Sequence, residues 1–207
     1  MKGSLNTPPA APTSSPITTT FGSARIASRT AAQAAAGLEP NVSVKLTALG
    51  LAEGRAAARL DDILVAARDV QGFVRVDAEH PESLDALHDI VIAARGVGLP
   101  VGTVLQANMR RSESDLDRLA AAGMPLRLVN GAYDPKSEGV GDNAAVDAAY
   151  RALAERLLAA KIPTALGTHD DSILAALAPS AKGVAELTVT TPISLSSRPA
   201  RQEASDQ

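Results

Sequence analysis

The chain has 207 residues, a formal net charge of -3 and no cysteine. That length suits one domain with a sizeable core, and with 2% aromatics and no Trp the core must be largely aliphatic. The charge gives no electrostatic reason to expect nucleic acid, and the missing cysteines exclude disulfides, thiolate metal sites and cysteine nucleophiles. A cysteine-free chain also agrees with a reducing, cytoplasmic setting, and no apolar run approaches the ~20 residues that cross a bilayer.

Residues 1–30 read as a disordered, low-complexity segment. Met1 to Leu38 carries no Asp or Glu and is rich in Ser, Thr, Ala and Pro, a composition that cannot nucleate a core. Its few arginines argue against an organelle transit peptide, and it has no apolar stretch of the secretory kind. The folded part is expected over residues 31–180. Val42, Val44 and Leu46 alternate with Ser43, Lys45 and Thr47, which predicts a strand with two unlike faces. Leu60, Ile63, Leu64, Ala67 and Val70 recur at helical spacing. Phe73 to Asp77 is a second strand. Glu82 to Val97 is a helix, stopped by Gly96 and Gly98 before Pro100. Val101 to Gln106 is a third strand, and Ser112 is placed to cap the next helix. Leu126 to Val129, a long helix over Asn143 to Lys161, a strand from Pro163 to Gly167 and a short helix from Asp171 to Leu177 complete the pattern. Glu186 to Ser194 reads as a weak further strand within a divergent, loose tail over 181–207.

This β-α alternation implies a parallel sheet with helical crossovers. Each of the five clear strands turns polar at its C-terminal end, so one rim of the sheet is chemically equipped. Two arrangements fit: part of a (β/α)₈ barrel, or an open doubly wound sheet. A full barrel needs about 250 residues and eight strands, whereas about five to seven are visible. Polar groups on every strand favour the incomplete barrel, because an open sheet concentrates them at one switch point.

The residues able to carry chemistry lie on that rim. Lys45 falls mid-strand on the polar face, where a barrel interior makes an unpaired ammonium costly, and Asp77 is a partner that would relieve the cost. Phe73, Arg75, Asp77 and Glu79 share a face by period 2. Gln106 ends an otherwise apolar strand with an amide able both to donate to and accept from a flat heteroaromatic ring. Arg127 lies inside a strand and needs a partner for its permanent charge. Gly131 permits close approach of backbone to a ligand. His169 supports no triad, and His80 and His88 read as surface residues. The three histidines form no metal-ligand cluster, and no Rossmann or P-loop glycine motif is present.

Six blocks resemble the proline dehydrogenase family in order and spacing. They are Ser43-Val-Lys-Leu-Thr-Ala-Leu-Gly50, Phe73-Val-Arg-Val-Asp-Ala-Glu79, Val104-Leu-Gln-Ala107, Arg110-Arg-Ser-Glu-Ser-Asp-Leu116, Arg127-Leu-Val-Asn-Gly-Ala-Tyr133 and Thr168-His-Asp170. They cover Ala31 to Leu177. The resemblance implies a distorted (β/α)₈ barrel that holds FAD non-covalently and oxidises L-proline to Δ1-pyrroline-5-carboxylate. Hydride passes to flavin N5 and electrons onward, commonly to a membrane quinone. It therefore implies a cytoplasmic protein working at the membrane periphery. By position it assigns Asp77 and Arg127 to catalysis, and Lys45 and Tyr133 to the substrate. It assigns Ala78, Gln106, Val129, Asn130, Gly131, Thr168 and His169 to FAD.

Four departures accompany it. Asn130 stands where the family commonly has lysine. Asn108 stands where a large residue often follows the glutamine. The family's opening strand is not visible, and nor is the final helix whose two adjacent arginines clamp the proline carboxylate, since Arg198 and Arg201 are neither adjacent nor in that context. The chain thus reads as truncated at both ends relative to the family. Two further readings stand beside the first: a catalytically inactive barrel fragment acting as a binding or partner-dependent module, and a barrel enzyme for another cyclic amine.

Overall fold

A computed structural model describes residues 21–168, 170–181 and 187–189. Six parallel strands pair in strict chain order, β1 (Asn41–Lys45), β2 (Phe73–Asp77), β3 (Val101–Gln106), β4 (Leu126–Val129), β5 (Thr164–Gly167) and β6 (Leu187–Val189). A doubly wound sheet would reverse direction at a switch point. This sheet never does, so it is an arc of a singly wound barrel. Five helices cover the outside: α2 (Ala56–Asp69), α3 (Leu84–Gly96), α4 (Ser112–Ala121), α5 (Asn143–Ala160) and α6 (Asp171–Leu177), with α1 (Phe21–Ala35) packed against α2.

Alternation sorts each strand's residues between two environments. Val42, Val44, Val74, Val76, Leu126 and Leu128 face the helices and are buried there with Leu60, Ile63, Leu64, Leu87, Val91, Leu119, Tyr150, Leu153 and Leu157. The opposite residues, Ser43, Lys45, Arg75, Asp77 and Arg127, line the concave face. Four strands begin immediately after a proline. Pro cannot donate to the ladder, so the first position of a strand suits it. Its carbonyl still accepts: Phe73 N donates to Pro40 O at 2.8 Å, Val74 N to Pro100 O at 3.0 Å, Thr103 N to Pro125 O at 3.1 Å and Leu126 N to Pro163 O at 2.9 Å. The N-terminal end of the arc is thereby tied off, and chemistry is left to the other end.

Several expectations are corrected. The segment over 1–30 is not featureless throughout, because α1 begins at Phe21. Alanine, the best helix former, outweighs the missing acids there, and Thr30 is fully buried with its hydroxyl donating to Ile26 O at 2.9 Å. Residues 1–20 lie outside the described residues. Within the tail, the weak strand expected over Glu186 to Ser194 is present at Leu187–Val189, which forms β6 and pairs with β5, while residues 182–186 and 190–207 lie outside the description. Ser112 does not cap α4. It is the first helical residue, and its hydroxyl donates to Gln106 O. His88 is buried, not superficial, because it falls on the apolar stripe of α3 between Leu84, Leu87 and Val91. Its Nδ1 lies 3.7 Å from Asp115 Oδ1, and burial pulls the imidazole below its ordinary value despite that carboxylate.

Gly102 lets the strands pack on the concave side. A Cβ there would stand 2.5 Å from Phe73 Cζ and 2.7 Å from Pro125 O, and the latter is backbone that cannot swing away. Gly102→Ala should lower unfolding stability by about 1–3 kcal/mol, read from urea denaturation. An unchanged midpoint would contradict the close approach of Phe73 to β3.

Candidate active site

The concave face is organised in rows, because parallel pairing sets equivalent residues side by side. Lys45 pairs with Asp77, Val104 with Arg127 and Arg127 with Ala165. Continuing the β2–β3 register by one residue sets Asp77 opposite Val104, so Lys45, Asp77, Val104, Arg127 and Ala165 form one level row. The row above it holds Gln106, Val129 and Gly167.

The expected Lys45–Asp77 pair is present and has a third member. Lys45 Nζ donates to Asp77 Oδ2 at 3.1 Å, and Arg127 Nη2 donates to Asp77 Oδ1 at 2.7 Å. One carboxylate thus joins strands β1, β2 and β4. The hydrogen bond to Asp77 holds the Lys45 ammonium above its ordinary value against the cost of burial, with smaller contributions from Tyr133 and Glu79. One step nearer the N-terminal end, Arg75 lies over the Phe73 ring at 5.2 Å. Burial, with Arg127 nearby, pulls its guanidinium down to about 10. Arg75 Nη1 and Arg127 Nε are buried without hydrogen-bond partners among the described residues.

Above the row, Glu79 accepts from Thr47 Oγ1 at 2.8 Å and from Thr47 N at 3.3 Å. Gln106 Nε2 donates to Glu79 O at 3.0 Å, which fixes the amide and leaves its oxygen and second N–H uncommitted by that bond. Sequence reasoning saw Glu79 on the right face but not its bond to Thr47.

Two rim loops are stitched together beside this row. Asn108 N donates to Asn130 O at 2.8 Å, Val140 N to Asn108 O at 3.0 Å and Asn108 Nδ2 to Tyr133 O at 3.2 Å. The close approach at Gly131 is to Asn108: at φ +120°, a Cβ would fall 2.2 Å from Asn108 Cγ. Sequence reasoning reserved that space for a ligand. A polar recess of about 490 Å³ opens here, with Asn108, Gly131, Asn143 and Asp147 in its wall. Asn130 is exposed and its Nδ2 reaches Asp147 Oδ1 at 3.4 Å, a long and weak contact.

Two other expected site residues lie apart from the row. Ala78 continues the helix-facing alternation of Val74 and Val76 and is buried in the core. Thr168 is buried, with Oγ1 accepting from Asp170 N at 3.1 Å. His169 lies outside the described residues. Among the described residues, no group of His, Asp or Glu is arranged to hold a metal, and no helix is long and apolar enough to cross a membrane.

Comparison with known proteins gives the family and agrees with the fold. A family model described as proline dehydrogenase matches residues 13–187. The chain belongs to the proline dehydrogenase family. It is 33% identical over 148 residues to proline dehydrogenase of Deinococcus radiodurans, covering 68% of this chain and 48% of the relative. It is 34% identical over 141 residues to proline dehydrogenase 2 of Bacillus subtilis, covering 66% and 46%. The chain therefore spans about half the length of these curated proline dehydrogenases. Its fold matches proline utilization A of Bradyrhizobium japonicum with a TM-score of 0.73 at 22% identity, covering 82% of this chain and 22% of that one. Proline utilization A of Bdellovibrio bacteriovorus, in a form inactivated by N-propargylglycine, gives 0.70 at 20%, covering 82% and 23%.

The shared carboxylate gives a stability signature. Asp77→Ala leaves Lys45 and Arg127 with no common partner and should cost about 1–3 kcal/mol, less than a fully buried pair because Lys45 is partly solvated. Lys45 adds a pH dependence. Its folded pKa exceeds the ordinary 10.5, so its contribution is fully present below that value and is lost as pH rises through the folded pKa. Denaturation midpoints followed above about pH 10.5 should fall more steeply for the wild type than for Lys45→Met, and parallel curves would contradict the pairing.

Proposed function

We propose that this protein takes part in FAD-dependent oxidation of L-proline to Δ1-pyrroline-5-carboxylate, with Asp77 and its two cations at the centre of the site. The observation that supports this most is the Lys45–Asp77–Arg127 row in a chain of this family. The residues present fit the cofactor's ring system. Gln106 is held as an amide at the strand ends, Val129 and Gly167 are compact neighbours in the same row, and Arg127 keeps a buried Nε–H with no protein acceptor among the described residues. A buried donor of that kind favours a ligand acceptor over none. They fit less well at Asn130, where the amide brings no cation and is turned toward Asp147.

When bound, the flavin supplies the hydride acceptor. The chain supplies orientation and charge. Asp77 holds Arg127 by its Nη2, so that the buried Nε–H would be left to donate to the flavin. Lys45, fixed by the same carboxylate, offers an ammonium to the carboxylate of an amino-acid substrate. Tyr133 closes the pocket from the neighbouring loop. Ala78 and Thr168, both buried, would contribute through backbone atoms, and Asn130, Gly131 and His169 belong to the same cofactor rim in this reading. Electrons would pass to a membrane quinone from a cytoplasmic protein resting at the membrane periphery. The binding-module reading has weaker support, because the charged row is intact.

The visible spectrum tests the proposal. The purified chain supplied with FAD should show a protein-bound flavin band that bleaches on addition of L-proline under anaerobic conditions, and Asp77→Ala should slow that bleaching at least 10-fold, about 1.4 kcal/mol. A chain that takes up no FAD would refute the cofactor assignment. One that binds FAD but never bleaches would refute the substrate.

A further inference from the structure

The turn after β2 and the loop after β4 meet above the charged row. His80, exposed on the first, stands edge-on to Tyr133 on the second, with ring centroids 4.8 Å apart and planes at 73°. That is the favoured T-shaped geometry of an aromatic pair. Tyr133 is also held from behind, because its carbonyl accepts from Asn108 Nδ2 at 3.2 Å and Gly131 makes the room Asn108 needs. Tyr133 also lies within electrostatic reach of the row, since it adds a small contribution to the rise at Lys45. A second link between the same two segments, Lys136 Nζ to Glu82 Oε1 at 2.8 Å, lies between exposed side chains and contributes little at such exposure. The ring contact with the exposed His80 is therefore the more specific of these two links.

We propose that His80 is a specificity-determining positioning residue, which sets the width of the small-amine pocket by holding the Tyr133 ring over the Lys45–Asp77 row. This deepens the proline-oxidation reading and rests on it. His80 touches neither the row nor the reacting atoms. Its function is to stop Tyr133 from swinging outward, so that a five-membered cyclic amine fits against the ring and a bulkier one does not. The support needs a flat ring at position 80, not a charge.

The chain reports this contact directly. It has two tyrosines and no Trp, and Tyr150 is fully buried, so quencher-accessible tyrosine emission comes from Tyr133. Acrylamide quenching is measured on the full chain and on His80→Ala, His80→Phe and Lys136→Ala, alongside KM and kcat for L-proline and 4-hydroxy-L-proline. His80→Ala should at least double the quenching constant. It should raise KM for L-proline about 10-fold with kcat within twofold, and narrow the preference over hydroxyproline. His80→Phe should restore both readouts, and Lys136→Ala should change neither. An unchanged quenching constant in His80→Ala overturns the inference whatever the enzyme does. So does a parallel fall of kcat, or a failure of phenylalanine to restore the wild-type values. If quenching responds as expected but no variant, nor the wild type, turns over L-proline, the proline-oxidation reading fails and the selectivity role falls with it.

Discussion

One carboxylate organises the concave face. Asp77 on β2 accepts from Lys45 on β1 and from Arg127 on β4, two strands away. Two interstrand spacings are about 9.5 Å, a span that a long arginine covers when the sheet curves toward it. Charged groups inside a barrel are costly unless paired and hydrogen-bonded. Without Asp77, the arc would carry Lys45, Arg75 and Arg127 on one wall with no shared counter-charge. With it, two of the three are fixed in one plane, and each keeps donors that the carboxylate does not use.

The two ends of the sheet divide the work. Prolines 40, 100, 125 and 163 immediately precede four strands and give their carbonyls to a neighbouring strand's backbone, which closes the N-terminal end chemically. At the C-terminal end the strands stop on Lys45, Asp77, Gln106 and Val129, and the loops after β3 and β4 brace one another through Asn108. The same division is seen in parallel barrels generally, where stability resides at one face and chemistry at the other. Here it follows from where proline can begin a strand and where ionisable residues end one.

Much of this was legible because β-strands repeat every two residues. Val42/Val44 against Ser43/Lys45, and Val74/Val76 against Arg75/Asp77, fixed which side chains share a face, so the Lys45–Asp77 pair could be expected from alternation alone. The choice between barrel and doubly wound sheet could not, because strand order is a long-range property. It rested on the spread of polar strand ends, which the consecutive pairing bears out. Arg127 clearly needed a partner, but alternation says nothing about a residue 50 positions away. Composition misled at α1, where alanine propensity and packing on α2 outweigh the absence of acids. His88 is buried because helical phase outweighs residue type, and Leu84 and Val91 already define the buried stripe. Asn108 was noticed as a departure, but its fit against Gly131 depends on a positive φ that no local pattern announces.

The proposed oxidation of proline rests most on one claim, that Arg127 would present its uncommitted guanidinium edge to a flavin. Equilibrium titration of FAD into the full chain and into Arg127→Met, followed by quenching of flavin fluorescence, tests it most directly. The account predicts saturable binding by the wild type and at least 10-fold weaker binding by Arg127→Met, the loss of one charge-assisted hydrogen bond at about 1.5–3 kcal/mol. Equal affinities, or no saturation in either protein, would contradict it.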